Sequence, residues 1–189
     1  MEVPAGGFPG ARRSLVERMI GAALLDVSVY EEVEADRSAT GQAAIVVAIV
    51  AVCAAIGSWG HGNNGIIGAV IGAFLGWLLM SALTYFIGTK LFGGTADMGE
   101  MLRTLGFAQS PGVIAVLGLI PILGRVVVFA VAIWQLVTAV VAIRQALDFD
   151  TMKAVATGFI AWLVVLVVTM VIMGMLLGTG LALRAATGG

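Results

Sequence analysis

Tyr30, Glu31, Glu32, Glu34 and Asp36 stand together in the stretch "VYEEVEAD", directly ahead of a long apolar run. Four carboxylates at that density can hold a cation, or can offer an acidic face to a basic partner. No glycine-kinked calcium loop accompanies them. The cation reading is therefore weaker than a solvated or docking face. Tyrosine suits docking because it buries area and keeps a polar tip. The plainer alternative is a tyrosine that snorkels at lipid headgroups.

The other chemistry-bearing residues are sparse. His61 sits in the loop "GHGNNG" with no visible partner, and Cys53 lies inside an apolar run as a small core residue. One histidine and one cysteine cannot build a metal-ligand set or an internal disulfide. No carboxylate falls in the middle of an apolar run. Proton relays and ion paths usually place one there. The reading is thus of a chain without catalytic residues, metal or cofactor. Gln135 and Tyr85 are the most polar groups deep in the apolar runs, and each is expected to make an interhelical hydrogen bond.

These residues must be positioned by elements that suit a bilayer. Of the 189 residues, 60% are apolar and only 11% charged, against about 25% charged in ordinary domains. Mean hydropathy is +1.08. The fold class is all-α, a polytopic membrane protein of about five transmembrane helices with an interfacial amphipathic helix at the N-terminus. The net charge of −1 points to no nucleic-acid partner. No cleavable signal is expected before the first apolar run.

A span needs about 20 apolar residues. Candidates are Thr40 to Trp59, Asn64 to about Phe92, Pro111 to Leu123, Gly124 to Arg144, and Lys153 to about Leu181. The third is short and carries Pro121, so residues 111–123 either span from an earlier start near Thr104 or re-enter. Lys and Arg asymmetry puts the N-terminus in the cytoplasm under both arrangements. The organisation is a disordered tail over 1–11, cytoplasmic interfacial helices over 12–37, a five-helix membrane domain over 38–183, and a flexible tail over 184–189.

Within 12–37, Leu15, Val16, Met19, Ile20, Ala23, Leu24 and Val27 form one helical stripe, away from Arg12, Arg13, Glu17 and Arg18. That stripe fits a membrane surface or the chain's own spans. Ser28 with Glu31 reads as a capping box for the next short helix, and Asp36 or Ser38 as the cap of the first span. Gly93 and Gly94 stop the second span. Asp97 with Glu100 reads as a further capping box, opening a short interfacial helix with Met98, Met101, Leu102 and Leu105 on its apolar side. Ser110-Pro111 is a helix restart.

Glycine gives the strongest packing signal. Gly68, Gly72 and Gly76 form a GxxxGxxxG row, Gly174 and Gly178 repeat the spacing, and Ala44, Ala48, Ala51 and Ala55 supply small residues in the first span. Such rows let backbones approach closely. Packing inside the chain's own bundle is the expectation. A face toward another chain, or a second copy, is the alternative.

The segments "VYEEVEAD", "RSATGQA", "FGG", "IPILG" and "IWQLVTAVVAIRQALDFDTMKAVA", with Met101 to Pro111, resemble the prokaryotic branch of the Yip family of Ypt/Rab-interacting membrane proteins over residues 12–183. The resemblance implies five spans, a cytoplasmic N-terminus and an outward C-terminus, hence a true third span. Eukaryotic members carry an Asp-Leu-Tyr-Gly-Pro motif and are associated with Rab-type GTPases. Here Val29-Tyr30-Glu31-Glu32 keeps the tyrosine and lacks Gly-Pro, which puts Rab binding in doubt. The functional expectation is a non-enzymatic scaffold in the lipid bilayer of a prokaryotic plasma membrane, which recruits a cytoplasmic partner or shapes the membrane. The alternatives are a small transporter and an accessory subunit of a larger membrane complex.

Overall fold

The computed structural model describes residues 13–58 and 65–186, so the reading of the tail over 1–11 and of His61 lies outside it. Two short helices come first, α1 (Leu15–Ala23) and α2 (Val27–Ala35). α3 (Ala39–Gly57) and α4 (Gly65–Leu91) follow. Then comes a rod in two parts, α5 (Met98–Ala108) and a 3-10 segment (Ser110–Leu119). α6 (Leu123–Ala146) and α7 (Thr151–Ala186) complete the chain. Among the described residues five stretches are long and apolar enough to cross a membrane: α3, α4, the rod, α6 and α7. α7 continues through residues 184–186, which the sequence assigns to a tail.

Local chemistry sets the boundaries. Ser14 and Glu17 form a reciprocal capping box that opens α1. α1 stops at Leu25, whose φ of 64° is a left-handed conformation. The cap of α2 is Asp26, whose carboxylate accepts from the Ser28 N–H at 3.0 Å. This corrects the Ser28–Glu31 assignment: a carboxylate two residues upstream reaches the free amide first. Ser38 is the cap residue of α3 but makes no side-chain capping bond. The Asp97–Glu100 box is present as expected. Gly93 takes a φ of +75° just after α4, the conformation that lets a chain leave a helix without a Cβ clash.

The third span differs from expectation in where it starts. The helix expected at the interface is its first half, with Met101 and Leu105 buried in the bundle. The eleven α residues and ten 3-10 residues give roughly 16 and 20 Å of rise, enough for a hydrocarbon core of about 30 Å. Close approaches fix its direction. Gly106 lies against Ala43, Gly112 against Val50, and Gly118 against the Gly57 carbonyl. The rod therefore runs parallel to α3 and ends beside the far end of α3. A re-entrant segment would have returned to its starting side. Pro121 lies in the turn after the rod rather than within it, and the amide of Gly124 donates to Ile120 O at 2.8 Å to close that turn.

α3 and the rod form the centre of the bundle, with α4 and α6 against the rod and α7 on the outside against α4 and α6. α1 and α2 lie against α5, and α2 also touches α6. The buried cluster joins Tyr30 and Val33 of α2 to Val46 and Val47 of α3, Phe107 of α5 and Ile143 of α6. The N-terminal helices therefore share the core of the spans and are not a detached layer.

Candidate functional site

The N-terminal helices place every member of the acidic stretch, and two arginines decide how. Arg18 of α1 is 1% exposed. Its guanidinium donates to Glu32 at 2.8 and 3.0 Å, to Asp36 at 2.9 Å and to the Gln42 carbonyl oxygen at 2.8 Å. Arg13 adds a contact to Glu32 at 3.1 Å and stands 3.8 Å from Asp26. Glu32 and Asp36 are thus engaged inside the chain and do not face water as expected. Hydrogen bonds from Ser38, then from Arg18, hold the Asp36 carboxyl down at about 2.

Arg103 of α5 is also buried, and its Nε donates to Val33 O at 3.0 Å and Glu34 O at 3.1 Å. These are end carbonyls of α2, which lack partners within the helix and carry the negative end of its dipole. Glu34 itself is half-buried. Burial first, then the Glu100 and Asp148 charges, raise its carboxyl to about 7, with Arg103 opposing. Glu31 remains exposed, 3.5 Å from Gln145 of α6.

Tyr30 is the principal correction. Its side chain is fully buried, and its hydroxyl donates to Ala22 O at 2.9 Å. It is neither an exposed docking aromatic nor a snorkelling one. Val29 and Val33 share its face and bring it into the core between α1 and α6. Burial raises its pKa.

The apolar stripe of α1 divides in two. Leu15, Met19 and Ala22 pack inward. Val16, Ile20 and Leu24 are 62, 54 and 69% exposed, one turn apart. The end of α1 is tied to α6 by Trp134, whose indole N–H donates to Ala23 O at 2.8 Å. Trp134 lies twelve residues before the end of α6 at Ala146, roughly 18 Å along the axis.

Deeper in the bundle, polar side chains answer the backbone of the rod where it changes from α to 3-10. Gln135 donates to Gln109 O at 3.2 Å, Thr138 to Ala108 O at 2.6 Å, and Ser110 to Phe107 O at 2.6 Å. Trp77 donates to Leu102 O at 3.0 Å. Carbonyls freed at membrane depth need such partners. This gives Gln135 the interhelical role expected of it.

The glycine rows do not pack inside the chain. Gly68, Gly72 and Gly76 are exposed. A Cβ added at Gly72, Gly76 or Gly174 would meet nothing within 4 Å. Gly178 falls outside the residues whose surroundings are described. Close approaches that leave no room for a side chain lie instead at Gly57, Gly106, Gly112 and Gly118, which stand in no GxxxG row. Among the described residues no group of His, Cys, Asp and Glu is placed to hold a metal ion.

A five-span helical bundle with a buried tyrosine-bearing helix before it coincides with one family model. The Yip1 domain matches residues 27–173, well over half of the chain. The chain belongs to the Yip1 domain family. The match begins at the first residue of α2 and takes in the first four candidate spans and most of the fifth, so this Yip1 chain is an integral, multi-pass membrane protein. Comparisons with curated proteins and with solved structures find no match.

Proposed function

We propose that this Yip1 chain is a non-enzymatic membrane-shaping scaffold whose α1–α2 pair is set into the cytoplasmic leaflet of a prokaryotic plasma membrane. The observation that carries the reading is the exposed row Val16, Ile20 and Leu24 on a helix whose end is bonded to Trp134. Arg144 marks the charged end of α6, ten residues beyond Trp134, or roughly 15 Å. Half a hydrocarbon core is also about 15 Å. The row would then face acyl chains on one side of the bilayer only. Arg13 beside Asp26 compensates the charge at the α1–α2 turn. A helix inserted in one leaflet adds area to that leaflet and favours curvature.

The test is reconstitution into vesicles at increasing protein density, with diameters measured by electron cryomicroscopy. The parent protein should shift the distribution toward smaller vesicles. Val16→Ser, Ile20→Ser and Leu24→Ser combined should abolish the shift while the bundle stays folded. Equal diameters with parent and variant would remove the reading.

A second reading has its own observation. The exposed row Gly68, Gly72 and Gly76 suits a helix of another membrane chain, either a second copy or the principal subunit of a complex. Disulfide cross-linking at Gly72→Cys on a Cys53→Ala background tests it directly. The exposed Glu31 is what remains of the acidic docking face. Recruitment of a cytoplasmic partner through it would rest on charge, without an aromatic anchor.

A further inference from the structure

Between α4, α5 and α6 lies a cavity of about 340 Å³ lined by Gly76, Trp77, Met80, Gln109, Gln135 and Ala139. A second cavity of about 430 Å³ lies between α4, α6 and α7, lined by Met80, Ala139, Val140, Gly158, Phe159 and Trp162. Met80 and Ala139 line both, so the two adjoin. Gly76 is the twelfth residue of α4 and Gln135 the thirteenth of α6, so the first cavity sits near mid-height of the bundle.

Polarity divides the two compartments. The second has only apolar and aromatic side chains. The first holds two amides. Gln135 uses its NH₂ on the Gln109 carbonyl. The Gln109 side chain is half-buried and makes no hydrogen bond among the described residues. An amide left unpaired at membrane depth is costly. Neither compartment is lined by Lys, Arg, Asp or Glu. A phosphate would find no counter-charge there. A hydroxyl would fit, because it can donate to the Gln109 carbonyl oxygen and accept from its NH₂. Gly76 has open space where a side chain would stand, which keeps the entrance clear.

We infer that this pair of cavities is a binding site for an uncharged, hydroxyl-bearing long-chain lipid, such as a diacylglycerol or a long-chain alcohol. The hydroxyl is held by Gln109, and the chain lies past Met80 and Ala139 against Phe159 and Trp162. The site is formed by α4, α5, α6 and α7 and goes beyond the membrane-shaping role of α1.

The experiment is photo-crosslinking of the full chain in a mild detergent. The probe is dioleoylglycerol with a diazirine in one acyl chain. Adducts are mapped by mass spectrometry and competed with unlabelled dioleoylglycerol or dioleoyl phosphatidylglycerol. Saturable adducts are expected on residues 73–80 and 135–162, with the diacylglycerol competing about tenfold better, the scale of one hydrogen bond. Gln109→Leu should bring the two competitors to equality. Gly76→Leu should lower labelling about tenfold with thermal stability retained, since its Cβ meets no neighbour. Equal competition in the parent would overturn the proposal and leave a plain acyl-chain groove. So would adducts elsewhere, or a preference that survives Gln109→Leu.

Discussion

The Nε of Arg103 donates to the backbone carbonyl of Glu34 at 3.1 Å, joining the third span to the end of α2 across 69 positions of sequence. The guanidinium acts as a cationic cap. It takes up carbonyls that α2 cannot satisfy and faces the negative end of the helix dipole. Together with Arg18 on the other side, it fixes α2 between α1 and α5.

Arg103→Met should therefore leave the Val33 and Glu34 carbonyls without this donor. Hydrogen bonds involving a charged group are each worth about 1.5–3 kcal/mol, so a loss of roughly 2–3 kcal/mol is expected. Thermal unfolding in detergent measures it. A variant as stable as the parent would mean that α2 is held by its apolar face alone.

Tyr30→Ala should be strongly destabilising. Truncation of a fully buried aromatic typically costs about 3–5 kcal/mol. Tyr30→Phe keeps the ring and removes only the hydroxyl's bonds, to Ala22 O at 2.9 Å and to Thr138 O at 3.5 Å, at a cost of about 1 kcal/mol. A docking tyrosine would give the opposite pattern, with binding lost and stability intact. Comparing unfolding of the two variants separates packing from recognition.

Much of the architecture was legible in the sequence, and the miss at Tyr30 shows where legibility ends. Span number follows from apolar length, and the Asp97–Glu100 box from local chemistry. Which face of a span is buried does not follow, because lipid and bundle both accept apolar residues and the usual amphipathic signal vanishes. For that reason Gly68, Gly72 and Gly76 look the same as a packed row, while Gly57 and Gly106 carry no motif. Arg103 did leave a signal, as a cation among Met101, Leu102 and Leu105. A truly interfacial helix would keep its cation on the wet face. Arg18 left none, since Glu32 and Asp36 meet it only through the α1–α2 turn.

Glu34 gives a pH dependence with a definite sign. Its folded-state pKa of about 7 lies above the ordinary 4.5. Protonation therefore favours the folded state, fully so below about 4.5, and this contribution is lost as pH rises through about 7. After discounting for partial exposure, the change is on the order of 1–2 kcal/mol. Glu34→Gln should flatten stability across that window. Asp36 titrates near 2 and works in the opposite sense, with its contribution present above 3.8 and lost toward about 2. The two effects do not overlap, so unfolding measured between pH 5 and pH 8 isolates Glu34.

Gly72→Ile should change the stability of the isolated chain by no more than about 0.5 kcal/mol, since surface changes away from contacts have that scale. Gly57→Ala should be severe, because a Cβ there would overlap the Ala115 carbonyl oxygen, which is backbone and cannot swing aside. Parallel thermal unfolding of the two variants decides whether the rod–α3 seam or the glycine row holds the bundle. Comparable losses would mean that the row is packed after all.

The bond between Trp134 and the Ala23 carbonyl spans 111 positions of sequence, which gives the N-terminal pair a place in time as well as in space. Chains grow at about 5–20 residues per second. α1 therefore waits roughly 5–20 s for the tryptophan that will hold it. During that wait its nearer partners can already form, because Arg18 meets Glu32 across only 14 positions. The pair can fold on itself at the membrane surface, its charges satisfied, and dock when α6 arrives. α1 leaves the ribosome before any of the spans and is among the last elements to reach its seat.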